Sequence, residues 1–169
     1  LIYNMAKKYK YVFLSRPRRF GKSLLSSTLR SYFEGKKDLF KGLAIETLEK
    51  EWIEYPVLHF DLSTFKNCDL SLFPEKFDMQ LRRFEKQFGI EDMRKSAGNR
   101  LTQLIEQAES MTGRKVVIII DEYDAPLLDS NHLPELQNEL REEMRKFFSP
   151  LKAQGEYLRF LFLTGISKF

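Results

Sequence analysis

The stretch VVIIIDE, residues 116–122, is the most hydrophobic run in the chain and ends on two consecutive acids. Five branched aliphatic residues without polar alternation are typical of a parallel strand that is buried on both faces. Such a strand needs helices on both sides of its sheet. Asp121 and Glu122 then lie at the carboxyl edge, where an open α/β sheet binds its ligand. The stretch predicts a three-layer α/β domain with acids at its ligand-binding edge.

Shorter apolar runs on either side predict three more strands, at Tyr11–Ser15, Val57–Asp61 and residues 159–164. Apolar residues at helical spacing predict helices at residues 24–33, 74–88, 101–111 and 136–148. Because helices separate the strands, we expect crossover connections and a parallel sheet with helices on both faces.

Three finer predictions concern two connecting segments and the buried face of the first long helix. Residues 36–55 are expected to be a polar connector with an amphipathic piece at 48–53, and residues 63–72 a polar loop. The apolar face of the first long helix is expected to carry Leu24, Leu25, Thr28, Leu29, Tyr32 and Phe33.

Residues 16–23, RPRRFGKS, lie between the first predicted strand and the first predicted helix, where the phosphate-binding pattern G-x-x-x-x-G-K-[ST] occurs. Backbone N–H groups of such a loop wrap phosphates, and Gly21 is expected to let the backbone approach them closely. Lys22 would reach the β and γ oxygens, and the Ser23 hydroxyl would ligate magnesium. The alternative is a basic turn before a helix, since Arg16 replaces the first glycine. The predicted nucleotide-binding residues are Arg18, Arg19, Phe20, Gly21, Lys22, Ser23 and Leu24.

The acidic strand end supplies the second half of the predicted site. Asp121 is expected to hold Mg²⁺ together with Ser23, and Glu122 to polarise the attacking water. An adjacent glutamate here favours hydrolysis over binding alone. Asp124 is predicted to cap or shape the turn, with a direct catalytic role as the alternative.

Thr164 ends the last predicted strand, with Ser167 and Lys168 behind it. In hydrolytic P-loop proteins a polar residue at this strand end often senses the γ-phosphate. The alternative is a strand end followed by a glycine turn. The predicted catalytic set is therefore Lys22, Glu122 and Thr164.

Composition narrows the class of protein. Hydrophobic residues make up 43% and charged residues 31%, an ordinary soluble balance, and the net charge of +4 alone predicts no nucleic-acid surface. One cysteine, Cys68, and no visible signal peptide predict a cytoplasmic protein. No run approaches the ~20 apolar residues of a membrane span. The isolated His59 and His132 predict no metal site.

Taken in order, the motifs RPRRFGKSLL, YFEGKKDLFKGLAI, YPVLHFDLS, VVIIIDEYDAPL and LTGISKF resemble the AAA-ATPase-like domain found in many bacterial proteins. The resemblance implies a P-loop NTPase fold of the additional-strand type, related to AAA and STAND ATPases. The strand at residues 159–164 would then lie between the strand at Tyr11–Ser15 and the strand that ends on Asp121 and Glu122. Arg16 belongs to the usual form of the loop in that family.

The resemblance also implies a longer protein. Residues 1–169 would be a fragment of the ATPase domain, without its last core strand, its lid and the PD-(D/E)XK nuclease-like domain that often follows. The implied partners are ATP with Mg²⁺, nucleic acid through that missing domain, and further copies of the same chain in a homo-oligomer. Two alternatives to an ATPase stay open: a nucleotide-dependent switch with little turnover, and an interaction or nucleic-acid module that uses no nucleotide.

Overall fold

Four parallel strands form the centre of the protein, whose computed structural model describes residues 1–66, 69–91 and 96–166. The strands are β1 (Tyr11–Ser15), β2 (Val57–Asp61), β3 (Val116–Asp121) and β4 (Leu158–Gly165). Their order in the sheet is β1-β4-β3-β2, and each adjacent pair is parallel. This arrangement confirms the expected α/β class and the parallel sheet. It also confirms that β4 lies between β1 and β3, as the family resemblance implies.

Helices connect the strands and cover the sheet. The α-helices are α1 (Ile2–Lys8), α2 (Lys22–Phe33), α3 (Ala44–Leu48), α4 (Leu72–Gln87), α5 (Ala97–Thr112), α6 (Ala125–Asp129), α7 (Pro134–Phe148) and α8 (Pro150–Ala153). Short 3-10 helices lie at Lys37–Phe40, Leu62–Phe65 and Gly155–Tyr157. None of the helices in the described part of the chain is long and apolar enough to cross a membrane.

Strand β3 lies between two hydrophobic cores. Ile118 and Ile120 face a core built with α4, α5 and α7, whereas Val117 and Ile119 face a second core built with α2. Because side chains alternate across a strand, a continuous aliphatic run can fill both cores. Burying each of these side chains contributes roughly 1.5–3 kcal/mol. The two cores confirm helices on both faces of the sheet.

Several local predictions were wrong. The short helix of the connector is α3, which ends at Leu48, where the predicted amphipathic piece begins. The segment expected as a polar loop begins with a 3-10 helix in which Phe65 is fully buried. Leu24 is 72% exposed and does not belong to the buried face of α2, whereas the predicted Leu29, Tyr32 and Phe33 are buried there together with Ser26. Helices α1, α6 and α8 were not predicted, because segments this short carry little periodicity.

The outer edge of β2 is covered by side chains of α4. The Gln80 amide accepts a hydrogen bond from the Asp61 N–H (3.0 Å) and donates one to the Asp61 carbonyl (2.7 Å), as a neighbouring strand would. Arg83 donates to the His59 carbonyl (3.3 Å). The Asp61 carboxylate accepts from the Ser63 N–H (2.9 Å) and so shapes the turn that follows β2. Covered edges resist pairing with other strands.

His59 lies in the sheet, in strand β2. Its Nε2 is buried and has no hydrogen-bond partner among residues 1–66, 69–91 and 96–166. Burial lowers the pKa of His59. A lowered pKa keeps the imidazole neutral, which is the less costly form for an unpaired buried ring.

Parallel strands bring all four carboxyl ends to one edge of the sheet. Ser15 pairs with Gly165, and Ile120 pairs with Leu163, so Asp121 follows directly beside Thr164. The loop that precedes α2 starts from this same edge. The fold therefore positions the basic loop and the acidic strand end around the end of β4.

Candidate active site

The loop at residues 16–21 leads directly into the amino end of α2. Gly21 is the N-cap residue of α2, and no side chain caps the helix. The first turn contains no acidic residue. Since the first N–H groups of a helix lack partners within it and carry a partial positive charge, this end attracts anions. A phosphate is the kind of group that it can bind.

Lys22 is turned inward, against its own loop. Its side chain is only 5% exposed, and its Nζ donates to the carbonyls of Arg16 (2.9 Å) and Pro17 (3.0 Å). These carbonyl dipoles compensate the cost of burying an ammonium group. The loop therefore surrounds a positive charge, which the sequence pattern did not predict.

Gly21 has a backbone conformation that favours glycine. A Cβ at this position would meet no atom within 4 Å, so the protein itself does not crowd it. Its φ of 71°, however, lies in the left-handed region that side chains disfavour. Glycine here allows the loop to turn into the helix, while close approach to phosphate stays a prediction.

The other predicted loop residues lie on the surface. Arg18, Arg19, Phe20, Ser23 and Leu24 are all exposed. Their positions around the amino end of α2 agree with a surface loop, and their nucleotide contacts stay predictions.

Asp121, Glu122 and Thr164 form one hydrogen-bonded group. The Thr164 hydroxyl donates to the Asp121 carboxylate and accepts from the Glu122 N–H (3.1 Å). Both Asp121 and Thr164 are buried, whereas Glu122 is half-buried. The structure thus brings the predicted catalytic and metal-binding residues of two neighbouring strands into contact.

Glu122 has a strained backbone conformation. Its φ is 50°, and only Arg19 (66°) and Trp52 (45°) share a positive φ among the non-glycine residues that the structure describes. A non-glycine residue in this region costs about 1–3 kcal/mol, and such residues cluster at functional sites. Two of these three residues lie in the predicted site, in the basic loop and in the acidic turn.

Asp124 shapes the turn in a different way from that predicted. It occupies the N-cap position of α6 but makes no side-chain cap bond. Its Oδ2 instead accepts a hydrogen bond from the Ile166 N–H (2.7 Å), directly after β4. The predicted cap was wrong, and the turn role takes the form of a bond to the neighbouring strand end.

Sequence reasoning missed the close packing of Gly165. A Cβ on Gly165 would lie 2.6 Å from Cε1 of Tyr123 and 2.9 Å from Oδ1 of Asp124. The Tyr123 ring also packs edge-on against Phe13 of β1, with 5.6 Å between centroids. The available signal was a glycine directly after the last predicted strand, because glycine can mark a place where another group approaches the backbone closely.

Three residues named from the sequence, Ser167, Lys168 and Cys68, lie outside the described residues.

Replacing Gly165 with alanine is expected to lower the free energy of unfolding by about 1–3 kcal/mol, because the added methyl group must displace Tyr123 or Asp124. Urea unfolding measures the change. Gly155→Ala is the matched control near the other end of β4, since its Cβ would meet only the Tyr11 hydroxyl, at 3.1 Å. Equal loss in both variants would contradict the packing argument.

Comparison with known proteins identifies the family of the chain. The model of the AAA-ATPase-like family, described as "Predicted AAA-ATPase", matches residues 1–169. The chain is 36% identical over 159 residues to "Uncharacterized protein in vnfD 5'region" of Azotobacter chroococcum mcd 1. That alignment covers 94% of the chain and 31% of the relative, so the chain spans about a third of the relative's length. No solved structure matches. The chain belongs to the AAA-ATPase-like family of predicted AAA-ATPases.

Proposed function

We propose that residues 1–169 form a P-loop ATPase domain that binds ATP with Mg²⁺ and hydrolyses the γ-phosphate. The observation that carries the proposal is the hydrogen-bonded group of Asp121, Glu122 and Thr164 at the same sheet edge as a basic loop and a helix amino end. P-loop hydrolases need these parts together, because their catalysis is mostly positioning and charge stabilisation. Family membership supports the same class.

The phosphates of ATP would bind at the amino end of α2. Its first N–H groups and the Lys22 ammonium supply positive charge in a first turn without carboxylates. The two carbonyls that now accept from Lys22 belong to the loop itself. Lys22 can therefore exchange these neutral acceptors for anionic phosphate oxygens, which form stronger hydrogen bonds.

The oxygen ligands at this edge fit magnesium. Ser23 offers an exposed hydroxyl, and Asp121 a carboxylate that Thr164 holds in place. Mg²⁺ prefers such oxygens and usually takes its remaining ligands from water and phosphate. When bound, it would neutralise charge on the β and γ phosphates. Ser23 and Asp121 are the residues proposed to hold it.

Glu122 is proposed to orient the attacking water. The water oxygen bonds to the γ-phosphorus while the bond to the bridging oxygen breaks, which leaves ADP and inorganic phosphate. Glu122 accepts a hydrogen bond from this water and takes up the proton that the water loses as it attacks. Thr164 holds the backbone of Glu122 through its hydroxyl. A nucleic-acid partner and a homo-oligomer stay predictions from the family resemblance.

Replacing Lys22 with alanine is expected to raise the Kd for Mg²⁺-ATP about 10- to 100-fold, because a charged hydrogen bond contributes about 1.5–3 kcal/mol. Isothermal titration with Mg²⁺-ATP measures it, and phosphate release from the unchanged chain tests turnover. Lys37→Ala is the control, since Lys37 is an exposed lysine beyond the far end of α2. Unchanged affinity in Lys22→Ala would overturn the proposed phosphate site. Tight binding without phosphate release would reduce the function to a nucleotide switch.

A further inference from the structure

The backbone of Ile166 bridges the two halves of the proposed site. Its N–H donates to the Asp124 carboxylate (2.7 Å), beyond the acidic pair, and its carbonyl accepts from the Ser15 hydroxyl (2.8 Å), just before the basic loop. The preceding carbonyl, of Gly165, accepts from the Arg16 N–H (3.1 Å). A single stretch of backbone is therefore held by the loop on one side and by the acidic turn on the other.

The Asp124 end of this bridge is buried and closely packed. Asp124 is 1% exposed, and its carboxylate lies against Gly165, where a Cβ would come within 2.9 Å of Oδ1. A buried carboxylate is costly unless it accepts hydrogen bonds. The bond from Ile166 meets that need and fixes the distance between the acidic turn and the end of β4.

The turn that follows β3 depends on contacts of this kind. Its strained residue, Glu122, is held by its own N–H to the Thr164 hydroxyl, and the next N–H, of Tyr123, donates to the Thr164 carbonyl (2.9 Å). Asp124 adds a third attachment, to Ile166 directly after β4. A strained conformation persists only when its surroundings determine it, and two attachments to β4 with a third to the residue that follows it do so.

We propose that Asp124 is a positioning residue for hydrolysis, which holds Glu122 in register with the phosphate loop through the Ile166 backbone and Ser15. The inference rests on the proposed ATPase function. Asp124 touches neither nucleotide nor water in this scheme. Its carboxylate acts as a hydrogen-bond acceptor, and its negative charge is not required.

The acceptor role predicts a contrast between two substitutions. Asp124→Ala removes the acceptor and is expected to lower kcat for ATP about 10- to 100-fold while KM changes little. The magnitude is that expected when a catalytic group is displaced by about 1 Å. Asp124→Asn keeps an oxygen that can accept from the Ile166 N–H, so its kcat is expected to stay close to that of the unchanged chain. Ser15→Ala loosens the other end of the bridge and is expected to lower kcat in the same direction.

Steady-state phosphate release with Mg²⁺-ATP measures kcat and KM, and amide hydrogen exchange at Ile166 reports the bond itself. Exchange should accelerate in Asp124→Ala and stay slow in Asp124→Asn. Asp61→Ala is the matched control, because Asp61 also ends a strand at this edge and also accepts from a backbone N–H, but is not bonded to β4. Its kcat should not change.

Two results would overturn the inference. The first is an unchanged kcat in Asp124→Ala. The second is a loss of kcat in Asp124→Asn equal to that in Asp124→Ala while the Ile166 amide stays protected, which would mean that the charge of Asp124 matters. Absence of turnover in the unchanged chain would instead overturn the proposed function. The exchange experiment needs no turnover, and fast Ile166 exchange in the unchanged chain would remove the bridge itself. Thermal unfolding of Asp124→Ala separates loss of positioning from loss of folding, and Asp124→Asn keeps the test valid if the alanine variant unfolds.

Discussion

Replacing Glu122 with glutamine is expected to lower the rate of ATP hydrolysis about 100- to 1,000-fold, the range in which a positioned acid or base contributes. ATP affinity should change little, since the substitution removes an interaction with water that matters in the transition state. Glutamine has the shape of glutamate but accepts a proton far less readily. Single-turnover phosphate release and equilibrium ATP binding, measured on the same variant, separate the two effects.

The backbone of the acidic turn makes this substitution a clean test. Glu122 is held through its own N–H and through that of Tyr123, and both bonds end on Thr164. Glutamine leaves these backbone bonds in place, so the turn should keep its conformation. Glu135→Gln, at an exposed position of α7, is the matched control and should not alter turnover. Full turnover in Glu122→Gln would remove Glu122 from the mechanism.

Sequence patterns predicted the strands well because their signals are local. The bounds of Tyr11–Ser15 and Val57–Asp61 are those expected, and β3 and β4 extend one residue beyond the predicted ends. Each strand is an apolar run bounded by polar or turn-forming residues, which is sufficient to place it. Short helices such as α6 and α8 depend on tertiary contacts, and no local period marks them.

The candidate site was predictable in its residues but not in its conformation. The strand order that places Asp121 beside Thr164 followed from the family resemblance, and the structure shows this order. The inward turn of Lys22, the positive φ of Glu122 and the bond from Ile166 to Asp124 were not predicted. Each depends on hydrogen bonds to backbone groups, which every residue type carries, so the sequence contains no specific signal for them.

A buried ionic group behind the sheet was missed for a related reason. Arg100 of α5 is 5% exposed and bonds both oxygens of Glu85, at 2.7 Å each, and one oxygen of Asp78, at 2.6 Å. In sequence, a single arginine in an amphipathic helix is typical of a solvated face. Here the hydrogen bonds from Arg100 to Glu85 raise the pKa of Arg100 above its usual range. The group joins α4 to α5, and α5 packs against β3.

Replacing Arg100 with alanine is expected to lower the free energy of unfolding by about 3–5 kcal/mol, because Glu85 would be left as a buried charge without its partner. Glu85 is only 1% exposed, so water cannot readily replace the guanidinium. Urea unfolding followed by circular dichroism measures the loss. A value below about 1 kcal/mol, the range of surface ion pairs, would show that Glu85 is hydrated or protonated in the variant.

Arg82→Ala provides the matched control, because Arg82 binds the other oxygen of Asp78 at the same distance, 2.6 Å, but its side chain is 63% exposed. Exposed pairs of this kind contribute about 0–1 kcal/mol. Combining Arg100→Met with Glu85→Leu should restore most of the stability, since replacing a buried pair by apolar residues is often neutral or better. Recovery in the double variant would show that the cost of Arg100→Ala lies in the unpaired carboxylate. Failure to recover would assign it to the lost bonds between α4 and α5.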